Sequence, residues 1–285
     1  MTIGDLMERG VSVLMEAGVL DPRVKWETAV TARLGIGRLD WRWRVDEPLP
    51  EGIGEAVWST DLARLAGGEP LAYVLGEVVF RGLRLRCDRR ALIPRPETEQ
   101  LVGEVIADPA LAAIPDPLLA DAGTGSGCIA CALAWEWPRA RVVALDRSPG
   151  ARVLAAENRD RLGLTSRVAV VGGDWLSALA DRSLDGVIAN PPYVTTAEWE
   201  RLDREVRAFE PREALDGGPD GLEAIQRVAT DARRCLKPGR PLWLEIGEAH
   251  ADAVAEKLQM LGFQAIRIRN DWSGRPRFAT ARVPT

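Results

Sequence analysis

The sequence predicts an α/β fold: a doubly wound sheet of seven strands with an antiparallel last strand, preceded by a small helical domain. Three observations predict it. From residue 117 onward, short apolar runs alternate with helix-length segments, the pattern of parallel strands joined by helical crossovers. The last connection, Asp271-Trp272-Ser273-Gly274-Arg275-Pro276, is too short for such a crossover, so the final two strands should run antiparallel. Before residue 75, apolar residues recur at helical spacing and no strand pattern is seen.

Residues 1–75 therefore read as a domain of short helices. Leu6, Val13, Leu14 and Ala17 mark one apolar face, and Gly18 is placed to stop that helix. Asp21-Pro22 reads as an N-cap followed by proline at the first helical position, starting a helix that runs to Leu34-Gly35. A further helix is expected from Glu51 to Ala66, ended by Gly67-Gly68. Trp41, Trp43 and Trp58 are expected to fill the core. No chemistry is visible here, which leaves the domain a candidate for substrate recognition.

Residues 76–95 read as a linking β-hairpin: Val78-Val79-Phe80, a turn at Arg81-Gly82, then Leu83–Cys87. The run Ile93-Pro94-Arg95-Pro96-Glu97-Thr98-Glu99 leads into a helix from Thr98 to Ala107. It reads equally as a proline-rich linker or as a rigid loop over a cofactor pocket. The third domain, 96–285, holds the sheet. Its strands are expected at 118–120, 141–145, 168–171, 185–189, 241–246, 265–269 and 277–283, with helices from Cys128, Gly150, Gly221 and Ala249.

In such sheets ligands sit beyond the carboxyl ends of the strands. Four candidate elements fall at that edge: Gly123-Thr124-Gly125-Ser126-Gly127, Asp146, Asp174-Trp175, and Asn190-Pro191-Pro192-Tyr193. Glycines let a ligand approach the backbone, and Asp146 lies 23 residues beyond Gly123, where an acid meets ribose hydroxyls in dinucleotide folds. The spacing is G-x-G-x-G rather than G-x-G-x-x-G, and hydride chemistry has no role for Asn-Pro-Pro-Tyr. S-adenosylmethionine fits better. Asp146 would take its ribose, Asp174 and Trp175 its adenine, and the glycine turn its methionine part.

Two prolines fix the backbone after Asn190 and remove two N–H groups. The Asn190 oxygen and the Pro191 carbonyl could therefore accept both N–H groups of a planar amide, with Tyr193 packed on its face. That arrangement orients a poor nucleophile for in-line attack and favours positive charge growing on nitrogen. No general base is required.

At these residues the chain resembles the adenosylmethionine-dependent amino-group methyltransferases. The Ile93–Glu99 run, Glu69–Gly76, Glu210–Gly218 with Asp220-Gly221-Leu222, and Glu245-Ile246-Gly247 resemble the release-factor glutamine methyltransferases (PrmC/HemK). The resemblance covers nearly the whole chain. It implies a Rossmann-like methyltransferase that methylates the side-chain nitrogen of the glutamine in the Gly-Gly-Gln motif of class 1 peptide chain release factors. It carries cofactor contacts to Gly123–Gly127, Asp146, Trp175 and Asn190, and substrate contacts to Asn190–Tyr193. Arg95-Pro96-Glu97-Thr98 favours this branch over relatives that modify a ribosomal-protein glutamine. His250, Val79 and Ala189 depart from the family pattern without touching a proposed contact.

The rival reading is an N6-adenine methyltransferase on DNA or RNA, since Asn-Pro-Pro-Tyr serves exocyclic amines equally well. Against it stand the net charge of −5 and the lack of a nucleic-acid-reading module. Cys128 and Cys131 form a C-x-x-C without a second pair, and His250 is the single histidine, so no metal site is expected. Asp5, Glu8 and Arg9 interrupt the N-terminus where a signal peptide needs an apolar core, and no apolar run reaches membrane-spanning length. The sequence thus reads as that of a cytoplasmic, monomeric enzyme.

Overall fold

The computed structural model describes residues 1–50 and 52–285. They form two compact units: Met1–Glu77 with Asp203–Phe209, and Val78–Leu202 with Glu210–Thr285.

The first unit is helical: α1 (Ile3–Glu16), α2 (Pro22–Leu34), α3 (Glu55–Ala66) and α4 (Leu71–Leu75). A capping box between Thr2 and Asp5 starts α1. Leu6, Met7, Leu14, Trp26, Val30 and Trp58 form its core. Gly10 admits the Trp26 indole, whose Nε1 donates to the Leu6 carbonyl at 2.9 Å; a Cβ at Gly10 would lie 2.0 Å from that nitrogen.

Three expectations here need correction. Asp21 is left-handed (φ 51°) and makes no side-chain cap bond, so Pro22 alone marks the start of α2. The third helix begins at Glu55, after Gly54, and its expected start at Glu51 lies outside the described residues. Trp43 is 89% exposed whereas Trp41 is buried. Both lie in a 3₁₀ turn, Asp40–Trp43, where three residues per turn aim positions 41 and 43 at different sides.

The second unit contains the hairpin of β1 (Glu77–Phe80, its first residue belonging to the other unit) and β2 (Leu83–Arg86). Pro96, at the first helical position, starts α5 (Pro96–Ile106), two residues earlier than expected; α6 (Pro109–Ala112) follows. The strands are β3 (Leu118–Ala122), β4 (Arg141–Asp146), β5 (Val168–Gly172), β6 (Gly186–Ala189), β7 (Pro241–Glu245), β8 (Gln264–Asn270) and β9 (Pro276–Arg282). They alternate with α7 (Cys128–Glu136), α8 (Pro149–Arg161), α9 (Thr196–Trp199), α10 (Arg204–Phe209), α11 (Glu223–Cys235) and α12 (Ala251–Met260); α10 falls in the first unit.

The sheet order is β5-β4-β3-β6-β7-β9-β8, and β9 runs antiparallel to both β7 and β8. This is the doubly wound, seven-stranded sheet that the sequence predicts. Successive side chains alternate between its faces. Leu119 and Ile188 pack with Leu101 and Val105 of α5 and Leu133 of α7. Ala120 and Val187 pack with Val228 of α11 and Val254 of α12. Burial on both faces explains why β6 is apolar throughout. Among the described residues no helix is long and apolar enough to cross a membrane.

Candidate active site

Because β3, β4, β5 and β6 are parallel neighbours, their carboxyl ends lie along one edge. β3 opens into Gly123–Gly127, β4 ends on Asp146, β5 leads into Gly173-Asp174-Trp175, and β6 delivers Asn190. These segments surround a cavity of about 270 Å³.

Gly123, Gly125 and Gly127 all have positive φ (77°, 55° and 80°), so the turn needs glycine at each. The Asp146 carboxylate is held at both oxygens: Gly125 N–H donates to Oδ2 at 2.9 Å, and Ser148 N–H to Oδ1 at 2.8 Å. Each oxygen keeps acceptor capacity, enough for a pair of neighbouring hydroxyls. Trp175 sits at φ 53°, with its ring 3.0 Å from where a Gly123 Cβ would be. Asp174 is ion-paired with Arg227.

Asp121, at the end of β3, is fully buried, and burial raises its carboxyl to about pH 7 against hydrogen bonds from Thr124 and Ala130. Thr124 Oγ1 donates to it at 2.5 Å and Ala130 N–H at 3.1 Å. Asp121 thus ties the glycine turn to the first turn of α7 without lining the cavity.

Of the two readings left open for the proline-rich run, the structure supports the loop over a pocket. Ile93, Pro94, Arg95 and Thr98 line the cavity. The buried Glu210 carboxylate holds the run in place, accepting from Ile93 N–H at 3.1 Å and from Arg95 Nη2 at 2.6 Å.

Asn190 lines the same cavity. In the β6–β7 register Ala189 pairs with Leu244, which brings Asn190 alongside Glu245 at adjoining strand tips. Thr98, in the first turn of α5, lies between them. Asn190 Nδ2 donates to Thr98 Oγ1 at 3.0 Å, and Thr98 Oγ1 donates to Glu245 Oε2 at 2.6 Å. Tyr193 donates its hydroxyl to Glu245 Oε1 at 3.3 Å. Burial raises the Glu245 carboxyl to about pH 7, against the Thr98 hydrogen bond, the Arg277 charge and the Tyr193 hydroxyl.

Nine of the predicted positions therefore line one cavity: Gly123, Thr124, Gly125, Ser126, Asp146, Asp174, Trp175, Asn190 and Pro192. Three predicted positions do not. Gly127 instead allows close packing on α8, where its Cβ would lie 3.2 Å from Ala155 Cα. Pro191 is buried outside the lining. Tyr193, expected to pack on an acceptor amide, turns its hydroxyl to Glu245 and lies 5.9 Å beneath the Arg277 guanidinium carbon. The physical reason is the buried Glu245 carboxylate, which accepts the Tyr193 hydroxyl, while Val194 N–H donates to the Leu215 carbonyl and Gly217 N–H to that of Val194, fixing the backbone after Pro192. Burial also raises the Tyr193 phenol.

Sequence reasoning gave Thr98, Glu210 and Glu245 no role. For Glu245 a signal was present: a single acid closing the apolar strand run Pro241–Leu244. Cys128 and Cys131 are buried free thiols, both raised by burial.

Residues 5–76 match the family model described as the PrmC N-terminal domain, and residues 109–205 match the methyltransferase small domain. The release factor glutamine methyltransferase of Cereibacter sphaeroides is 36% identical over 284 residues, spanning 100% of this chain and 99% of its own. That of Moorella thermoacetica is 38% identical over 280 residues, spanning 97% of each. A methyltransferase crystal structure from Pyrococcus furiosus shares the fold at TM-score 0.54 and 18% identity, covering 80% of this chain and 100% of that one.

Proposed function

The chain belongs to the release factor glutamine methyltransferase family, and we propose that it transfers a methyl group from S-adenosylmethionine to the side-chain amide nitrogen of the glutamine in the Gly-Gly-Gln motif of class 1 peptide chain release factors. One observation carries the chemistry: Asn190 commits its Nδ2 to Thr98, which leaves Oδ1 as the free amide acceptor at the cavity.

The residues present fit the cofactor. Asp146 offers two anchored oxygens with acceptor capacity left for vicinal ribose hydroxyls. Trp175 offers a flat apolar face for adenine, and the glycine turn admits close approach of the methionine part. When bound, adenosylmethionine supplies a methyl carbon on a positively charged sulfur that departs with the bonding electron pair.

The chain's own part is positioning. A carboxamide nitrogen is a poor nucleophile because its lone pair is shared with the carbonyl. Asn190 Oδ1, at the cavity, accepts one of its N–H bonds, aligning nitrogen for attack and favouring the positive charge that grows there. Proton loss from nitrogen follows carbon–nitrogen bond formation. His250 does not line the cavity, so it is not assigned as a base. We propose a monomer as the working unit. The helical unit, with no chemistry of its own, is assigned to recognising the release factor, a substrate that places the reaction in the cytoplasm.

The test is mass spectrometry of the Gly-Gly-Gln peptide after incubation of a release factor with the enzyme and adenosylmethionine. One added methyl on glutamine is expected. Asn190→Ala should abolish it while cofactor still binds. Methyl label on DNA or RNA and none on the factor would overturn the assignment.

A further inference from the structure

We propose that Thr98 and Glu245 are positioning residues that fix the sense of the Asn190 side-chain amide, so that its oxygen and not its NH₂ faces the acceptor. The inference rests on the reading of Asn190 as the acceptor's hydrogen-bond partner.

The sense of the amide is set by which groups carry protons. An asparagine amide has nearly the same shape in its two flipped orientations, and only hydrogen bonding separates them. In one orientation the cavity meets an acceptor; in the other it meets a donor that would oppose the acceptor's own N–H. Thr98 decides between them because its hydroxyl carries a single proton. An ionised Glu245 can only accept, so it takes that proton at Oε2 and the Tyr193 proton at Oε1. Thr98 Oγ1 is then left as an acceptor, which demands Nδ2 of Asn190 at the 3.0 Å contact.

Rigidity comes from burial. Thr98 and Glu245 are 2% and 1% exposed, so water cannot substitute for either partner. The groups facing Glu245 come from several elements. Thr98 and Glu97 project from α5, Tyr193 from the segment after β6, and Arg277 from β9. Arg277 also reaches the Tyr193 hydroxyl at 3.4 Å and the Ile246 carbonyl at 3.2 Å. Glu97 disfavours the carboxylate and Arg277 favours it, while burial pushes the carboxyl up to about pH 7. Once protonated, Glu245 can donate to Thr98, whose own proton is then free to turn toward Asn190 and allow the flip. Orientation of Asn190 is therefore expected to weaken as pH falls through about 7.

The experiment compares Thr98→Val, Thr98→Ser and Glu245→Gln with the unmodified chain, using a release factor as methyl acceptor. Thr98→Val keeps the shape and removes the hydroxyl. Its kcat should fall about tenfold to a hundredfold, with the dissociation constant for adenosylmethionine within about threefold. Thr98→Ser restores the hydroxyl and should restore kcat to within about threefold. The unmodified enzyme's kcat should decline below about pH 7, and Glu245→Gln should be slow with that decline absent. The proposal is overturned if Thr98→Val matches Thr98→Ser in kcat, or if Glu245→Gln keeps the decline. Should Thr98→Val fail to fold, the Glu245→Gln profile decides alone. Failure of the underlying reading looks different: Asn190→Ala would then stay active, whatever the relay variants do.

Discussion

Gly217→Ala tests whether the Asn190–Tyr193 segment works by position alone. A Cβ at residue 217 would lie 2.5 Å from the Pro192 carbonyl oxygen and 3.0 Å from both Pro192 C and Tyr193 Cα. All three are backbone atoms, so no side chain can swing aside. Gly217 does not have a positive φ, so the clash is steric and not conformational. Restoring an ordinary contact near 3.4 Å requires about 0.9 Å of movement. The hydrogen bonds of Val194 to Leu215 and of Gly217 to Val194 tie the two segments together, so the strain passes into Pro192 and Tyr193. A displacement of about 1 Å at a positioned group costs about a hundredfold in rate. Overpacking costs about 1–3 kcal/mol of stability. Steady-state methyl transfer to a release factor should therefore show kcat down about a hundredfold. Calorimetric titration of adenosylmethionine should change by less than about threefold, since Gly125 and Asp146 are untouched. A folded variant with kcat within threefold of the unmodified chain would refute the reasoning, as would a loss of cofactor affinity as large as the loss in kcat.

What the sequence made legible, and what it did not, divides by the range of the interaction. Gly123–Ser126, Asp146, Trp175 and Asn190 could be brought to one cavity from sequence because each follows an apolar run. Parallel strands then place all such positions on a single edge. The inserted β9 was visible as antiparallel for the same kind of reason, a connection too short to cross over. Side-chain direction was not legible. Tyr193 turns its hydroxyl to Glu245, 52 positions further along the chain, and nothing local signals that contact. Trp43 and Trp41 carry the same residue type two positions apart and end with opposite burial. Thr98 and Glu245 meet across 147 positions of sequence, and their link to Asn190 depends on the β6–β7 register. A buried acid at a strand tip beside a functional strand is the signal that would find Glu245.

Two further substitutions separate cofactor binding from fold stability. Asp146→Asn replaces one of two acceptor oxygens by a donor that faces a backbone N–H, either that of Gly125 or that of Ser148. With about 2 kcal/mol of charge-assisted hydrogen bonding lost, adenosylmethionine should bind about thirtyfold more weakly by calorimetry, and affinity within threefold would count against the ribose assignment. Asp121→Asn probes the buried acid beneath the glycine turn. Its folded-state carboxyl titrates at about pH 7, above the ordinary value of 3.8, chiefly through burial. The folded chain therefore holds that proton more tightly than the unfolded chain. The stability it confers is complete below the ordinary value and is lost as pH rises through about 7. Between pH 5 and pH 8 the unmodified chain should lose on the order of 3 kcal/mol relative to Asp121→Asn, whose amide does not titrate. Thermal unfolding would register this as roughly 5–10 °C of relative shift. Both chains retain Glu245, which shifts in the same direction, so its contribution cancels in the comparison. Parallel Tm profiles over that range would mean that Asp121 stays ionised in the folded chain, with Thr124 and Ala130 fully offsetting its burial.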